Sequence, residues 1–271
     1  MSQDIIIYPS GDTNNTNPFI LFSGSNTNYI IEMTPDGFLD ISSDDGIVSS
    51  GLIMYLDAGN SNSYSGGTTW YDIDGSNNVT LINGPTFDNN NGGGIVFDGV
   101  DDRGRFSTPT PSSATSLTYE VWFKGQSSVS AVGGYGYIIH NNSISTSTGQ
   151  SYLTFGVHGV TGKYYAALNG QYNTMQTSIS QNSTNFYMMT LTWDGTTQKV
   201  YINGSLENSG ALSDGFTYQS SYSSIFGLCD QRDDTYRPFE GNIYNIKAYD
   251  RGLTDNEVLQ NFNAQKSRFG L

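Results

Sequence analysis

At 271 residues the chain has room for one large β domain or two ordinary ones, and with only 13% charged residues and abundant Gly, Ser, Thr and Asn it has the composition of short strands joined by many turns. A formal charge of -14, from 25 acidic against 11 basic residues, repels phosphate backbones and excludes a basic nucleic-acid patch. Cys229, the single cysteine, excludes an internal disulfide or a cysteine zinc cluster and is expected to be a small buried apolar residue, and no run is long and apolar enough for a membrane-spanning helix.

Ile5-Ile6-Ile7-Tyr8 predicts a first short strand. Residues 17 to 22 and 29 to 33 predict two more across a Ser/Gly/Asn turn, and Pro35-Asp36-Gly37 turns the chain into Phe38-Leu39-Asp40-Ile41. So few apolar positions do not close a core, and a coreless hairpin unit completes itself against a neighbour. Residues 1–46 are therefore expected to anchor or oligomerise the chain, as a homo-oligomer and specifically a trimer. The polar stretch Ser42-Ser43-Asp44-Asp45-Gly46 marks the boundary to a second unit, 47–271. Met1-Ser2-Gln3-Asp4 has neither the basic nor the apolar part of a leader, so synthesis in the cytoplasm without a signal peptide is the expectation.

From Gly51 onward short β runs alternate with turns, without an internal repeat. Leu52–Leu56 opens the series and Ile95-Val96-Phe97 ends in an Asp98-Gly99 turn. The clearest later strands are residues 117–124, 152–157, 164–168, 186–193 and 198–202. The turn Trp193-Asp194-Gly195-Thr196-Thr197 joins the last two as a hairpin, with Met189, Leu191 and Trp193 on one face and Val200 and Ile202 returning on the same side. Asn203-Gly204 turns the chain again. One helix is predicted: Thr254 and Glu257 form a capping box, Leu253 and Val258 a hydrophobic staple, and Val258, Leu259 and Phe262 an apolar face expected to pack against the end of a sandwich.

Four segments in order carry a family resemblance. Phe97-Asp98-Gly99-Val100-Asp101-Asp102, Thr118-Tyr119-Glu120-Val121-Trp122-Phe123-Lys124, the Trp193-to-Gly204 hairpin, and Phe239-Glu240-Gly241-Asn242-Ile243 with Tyr249-Asp250-Arg251-Gly252-Leu253-Thr254 resemble laminin-G-like, concanavalin A-like domains. The resemblance covers about residues 51 to 271 and implies an all-β fold, a two-sheet antiparallel jelly-roll sandwich with a short C-terminal helix. Gly252, Ala248 and Arg103 depart from the pattern and bear on loop geometry. The form seen in Leu56-Asp57-Ala58-Gly59-Asn60-Ser61, Trp70-Tyr71-Asp72 and Arg268-Phe269-Gly270 is similar to domains on virion proteins of tailed bacteriophages. That implies a virion-surface location and capsid or tail proteins as partners.

Hydrolases on such a fold need carboxylates grouped on one strand face, and none of the five glutamates has a partner at that spacing. Glu120 lies alone beside Trp122 and is expected to be solvated or hydrogen-bonded. His140 and His158 lack neighbouring nucleophiles or metal ligands and are expected to be ordinary polar residues near turns. Ca2+ suits hard oxygen ligands: Asp98, Asp101 and Asp102 are the first candidate cluster and Asp230, Asp233 and Asp234 the second, against the alternative that they are turn formers. No cofactor is required. For sugars, Tyr135, Tyr137, Tyr222, Tyr236, Arg232 and Arg237 are candidates, expected in loops. The reading is a non-enzymatic phage virion surface protein, a head-decoration or fibre-like subunit. The alternative is a carbohydrate-binding adhesion module for host glycans, and the third reading is a glycoside hydrolase.

Overall fold

The computed structural model describes residues 46–106, 110, 114–125, 136–141, 153–212, 224–226 and 239–271, together with the backbone of four strands before them. Those four, β1 (Asp4–Ile7), β2 (Phe19–Phe22), β3 (Tyr29–Met33) and β4 (Leu39–Ser43), pair as two separate antiparallel units, β1 with β2 and β3 with β4.

Sixteen further strands follow: β5 (Leu52–Asp57), β6 (Thr69–Trp70), β7 (Val79–Ile82), β8 (Thr86–Asp88), β9 (Gly94–Asp98), β10 (Arg103–Phe106), β11 (Leu117–Gly125), β12 (Gly136–Asn141), β13 (Leu153–Val157), β14 (Lys163–Leu168), β15 (Gln176–Ser180), β16 (Tyr187–Trp193), β17 (Thr197–Ile202), β18 (Ser205–Ala211), β19 (Ser224–Phe226) and β20 (Glu240–Tyr249). One sheet runs β15-β14-β13-β12-β19-β10-β7-β6; the other runs β18-β17-β16-β11-β20-β9-β8, with β5 pairing the second half of β20. Their pairings are antiparallel, and neighbours such as β11 and β20 lie far apart in the chain, the mark of a jelly-roll sandwich.

Period-two alternation sorts β11. Leu117, Tyr119, Val121 and Phe123 point into the main core between the sheets, with Met189, Leu191, Trp193, Val200 and Ile202 of the predicted hairpin. The turn closing that hairpin is held by Asp194 Oδ1, which accepts the backbone N–H groups of Thr196 and Thr197 at 2.8 Å each. The other face of the second sheet carries a second core of Trp122, Met188, Tyr201, Tyr244, Tyr249, Leu253, Val258 and Phe269.

That second core corrects the expectation for the helix. Helix α1 (Asp255–Gln265) begins at the predicted capping box, with Thr254 Oγ1 accepting from the Glu257 N–H. It covers the broad outer face of the second sheet, where Val258 is buried, rather than the end of the sandwich. Leu259 leaves the predicted apolar face and is 43% exposed, and Asn261 turns inward in its place. The physical reason is that the sheet beneath is not wholly apolar and presents polar groups that need a partner.

Candidate functional site

The outward residues of β11 are Thr118, Glu120, Trp122 and Lys124, and each meets a different part of what lies above. Thr118 Oγ1 donates to the Arg251 carbonyl and accepts the Leu253 N–H, both at 2.8 Å, which fixes the lead into α1. Glu120 sits under the helix body, fully buried. Its Oε1 accepts from Lys247 Nζ at 2.6 Å and its Oε2 from Asn261 Nδ2 at 3.1 Å. Cross-strand register makes this pair, since Glu120 faces Lys247 and Lys247 faces Tyr55. Lys247 completes its three donations to Gln265 Oε1 at 2.6 Å and Asn245 Oδ1 at 3.3 Å. Trp122 stacks on Phe269 with ring centroids 4.3 Å apart and on Phe262 at 5.7 Å.

Lys124 lines a groove. The groove has a volume of ≈ 510 Å³, within the span of about 300–1,000 Å³ common for small-molecule sites. Asp88, Asn90, Asn91, Lys124, Ser183, Asn242 and Tyr244 supply its side chains, with Gly125 and Gly241 as backbone floor. Gly241 has φ +149 and a Cβ there would meet the Lys124 carbonyl at 2.3 Å, so no side chain can fill the floor.

Asp88 organises one wall. Its Oδ1 accepts the Asn90 N–H at 3.0 Å and Asn90 Nδ2 at 2.6 Å, and its Oδ2 accepts Asn242 Nδ2 at 3.2 Å. The Tyr244 hydroxyl is pushed up to about 12, first by burial and then by the negative charge of Asp88, and stays a neutral donor and acceptor. Phe269 meets the Tyr244 ring edge to face at 5.0 Å.

Arg268 fixes the loop that carries Asn90 and Asn91. It grips Asp57 with Nη1 at 2.8 and 2.9 Å, and donates to the carbonyls of Asn91 at 2.9 Å, Gly92 at 3.2 Å and Gly93 at 2.8 Å. The loop can come this close because Gly59 faces it: a Cβ at Gly59 would stand 1.8 Å from the Gly92 carbonyl. The last residues of the chain thus brace both the loop and the tyrosine of the groove.

Of the sequence-derived ligand candidates, Tyr137 and the Asp98, Asp101 and Asp102 cluster lie within the described residues. Tyr137 is on strand β12 instead of in a loop, 8% exposed and stacked on His140 at 4.4 Å, because the run Tyr137-Ile138-Ile139 is aromatic and β-branched and pairs with β13. Tyr135, Tyr222, Arg232, Tyr236 and Arg237 lie outside the described residues, as do Cys229 and the Asp230, Asp233 and Asp234 cluster. His140 and His158 are buried, His140 Nδ1 lying 3.2 Å from Thr154 Oγ1 and His158 Nε2 lying 2.8 Å from Asn173 Oδ1.

The structure brings Asp98, Asp101 and Asp102 together, with a ligand oxygen from each within 4.8 Å of the others. Turn bonds already use one oxygen of each: Asp98 Oδ1 takes the Val100 N–H, Asp101 Oδ2 takes Asn83 Nδ2, and Asp102 Oδ2 takes the Asp98 N–H. Burial, with the charges of Asp98 and Asp101 adding to it, raises the Asp102 carboxyl above the usual range. Three remaining oxygens are about half of the 6–8 that Ca2+ takes.

Sequence reasoning missed the groove residues. The run Asp88-Asn89-Asn90-Asn91-Gly92-Gly93 has the composition of a turn, and only pairing between β8, β9 and β20 places it beside Asn242. The signal that was present is the alternation of β11, which puts Lys124 on the same face as Glu120 and Trp122.

The family model that matches is the concanavalin A-like lectin/glucanases superfamily, over residues 97–259, more than half of the chain. No curated protein matches by sequence. Among solved structures, a Trypanosoma rangeli sialidase in complex with 2,3-difluorosialic acid superposes with a TM-score of 0.60 at 14% identity, covering 82% of this chain and 34% of the sialidase. The chain therefore spans about a third of that enzyme. Domain 4 of AbnA, a GH43 extracellular arabinanase from Geobacillus stearothermophilus, in complex with arabinotriose, gives a TM-score of 0.60 at 16% identity, covering 80% of this chain and 98% of that domain. At such identity these likenesses show the fold alone. With the two-sheet sandwich and the family match in agreement, this chain belongs to the concanavalin A-like lectin/glucanase superfamily.

Proposed function

We propose that the chain is a non-enzymatic carbohydrate-binding protein that presents the groove between the Asn90–Asn91 loop, Lys124 and Asn242 to a saccharide. The observation that carries this is the groove's lining of three amides, two hydroxyls, one carboxylate and one ammonium, held on a sheet, since sugars are recognised by several oriented donors and acceptors. The arabinotriose complex of a domain of the same fold supports the reading. Burial of Glu120 beneath α1 supports the non-enzymatic part, because a carboxylate sealed from solvent meets no substrate. A glycan array should show saturable binding that Asn242→Ala weakens at least about tenfold. Binding is expected to be the same with and without calcium, and an array blank in both conditions would remove the proposal.

The finer proposal is display on a tailed-phage virion as a head-decoration or fibre-like subunit, with residues 1–46 as the assembly segment. Two N-terminal two-stranded units, each pairing within itself among the described residues, support it, since isolated hairpins gain stability by association. Light scattering should give a multiple of the 29.5 kDa chain mass, three for a trimer, and deletion of residues 1 to 45 should yield monomer. A wild-type mass of one chain would sink this part.

A further inference from the structure

The ion pairs among the described residues join Lys199 to Asp255, Lys247 to Glu120, Arg251 to Glu257 and Arg268 to Asp57. Lys124 belongs to none of them. Its Nζ stands 5.1 Å from the centroid of the Phe186 ring, and the residue lines the groove together with Asn242, its cross-strand neighbour. Arg103, Arg105, Lys163 and Lys266 also stand outside these ion pairs, and what sets Lys124 apart from them is that it lines the groove.

The groove has a carboxylate of its own, Asp88, but it is turned to the protein. Both of its oxygens are engaged, by the backbone and side chain of Asn90 and by the side chain of Asn242. A ligand entering the groove therefore meets an ammonium with unused donors beside amides and the Ser183 hydroxyl. An anionic group of the ligand gains a charge-assisted hydrogen bond there that a neutral hydroxyl does not.

We propose that the groove selects an anionic saccharide, a unit bearing a carboxylate or a sulfate ester, and that Lys124 is the specificity-determining residue that receives the charge. This rests on the groove being the saccharide site. Hydroxyls of the same unit go to Asn91, Ser183 and Asn242, while Asp88 acts through the two asparagines it holds and touches no ligand. The overall charge of -14 sharpens the selection, because an anion is repelled elsewhere on the surface and held only where a local cation overcomes that field.

The test uses the full chain and three oligosaccharides of equal length in calorimetric titration: a polyuronate, a sulfated galactan and a neutral arabinan. The expected result is that at least one anionic probe binds at least about tenfold more tightly than the arabinan. That preference should shrink as salt rises through the screening range. Lys124→Gln should abolish the preference and Lys124→Arg should keep most of it, with both variants retaining the wild-type near-UV circular dichroism. The uronate and sulfate arms decide which anion is taken. Arabinan binding equal to that of both anions, or an unchanged preference in Lys124→Gln, overturns the assignment of charge while leaving the groove as a sugar site. No binding by any probe overturns the saccharide reading and this inference with it.

Discussion

Replacing Glu120 or Lys247 by Ala should each lower the unfolding free energy by about 3–5 kcal/mol, the cost of leaving a buried charge without its partner. Both side chains are 0% exposed and their ion pair is 2.6 Å long. Lys247 has all three ammonium protons placed, so its removal strands the carboxylate and also the acceptors on Gln265 and Asn245. The loss should be read by urea denaturation with an unchanged m-value, since the sandwich itself remains. Replacing both together, Glu120→Leu with Lys247→Met, should return much of the loss by removing both charges at once. A single replacement costing under about 1 kcal/mol would mean that water reaches the pair, as at an exposed ion pair.

The second large effect is expected at Arg268. Arg268→Ala breaks the pair in which Nη1 reaches both Asp57 oxygens and frees the carbonyls of Asn91, Gly92 and Gly93, at a cost of about 2–3 kcal/mol, less than for a fully buried pair because both side chains keep some exposure. The loop that carries Asn90 and Asn91 then loses its anchor, and saccharide binding should fall at least about tenfold. Arg268→Lys separates the two effects. A lysine can pair with Asp57 but has no planar fork to span the loop carbonyls, so it should recover stability more than binding. Hydrogen exchange of the Asn90–Gly94 amides, faster in both variants while β11 and β20 stay protected, reads the loop directly. Unchanged exchange there would show that the loop holds its shape without the guanidinium.

These two sites show different degrees of legibility. The five clearest later strands, the Trp193-to-Gly204 hairpin and the capped start of α1 follow from local rules, namely alternation, Asp-Gly and Asn-Gly turns, and a Thr-x-x-Glu box. All three are present as expected, with Thr254 and Glu257 bonded reciprocally. The concanavalin A-like sandwich was also readable, because its four motif segments keep their order along the chain. The outward residues Thr118, Glu120, Trp122 and Lys124 lie within one of those segments, although their separate roles do not show in it.

What the chain by itself determined is thus the class of fold, its clearest strands and the helix start, since each is written in residues close together in sequence. Only the tertiary structure decided that Glu120 is sealed by Lys247 and Asn261, separated from it by 127 and 141 positions, and that Arg268 reaches back 211 positions to Asp57. It also brought together an asparagine-lined groove that no single segment announces, and placed α1 over a sheet face. Pairing of distant strands is set by the best burial of the whole chain, including the satisfaction of buried polar groups, and no local pattern encodes that sum.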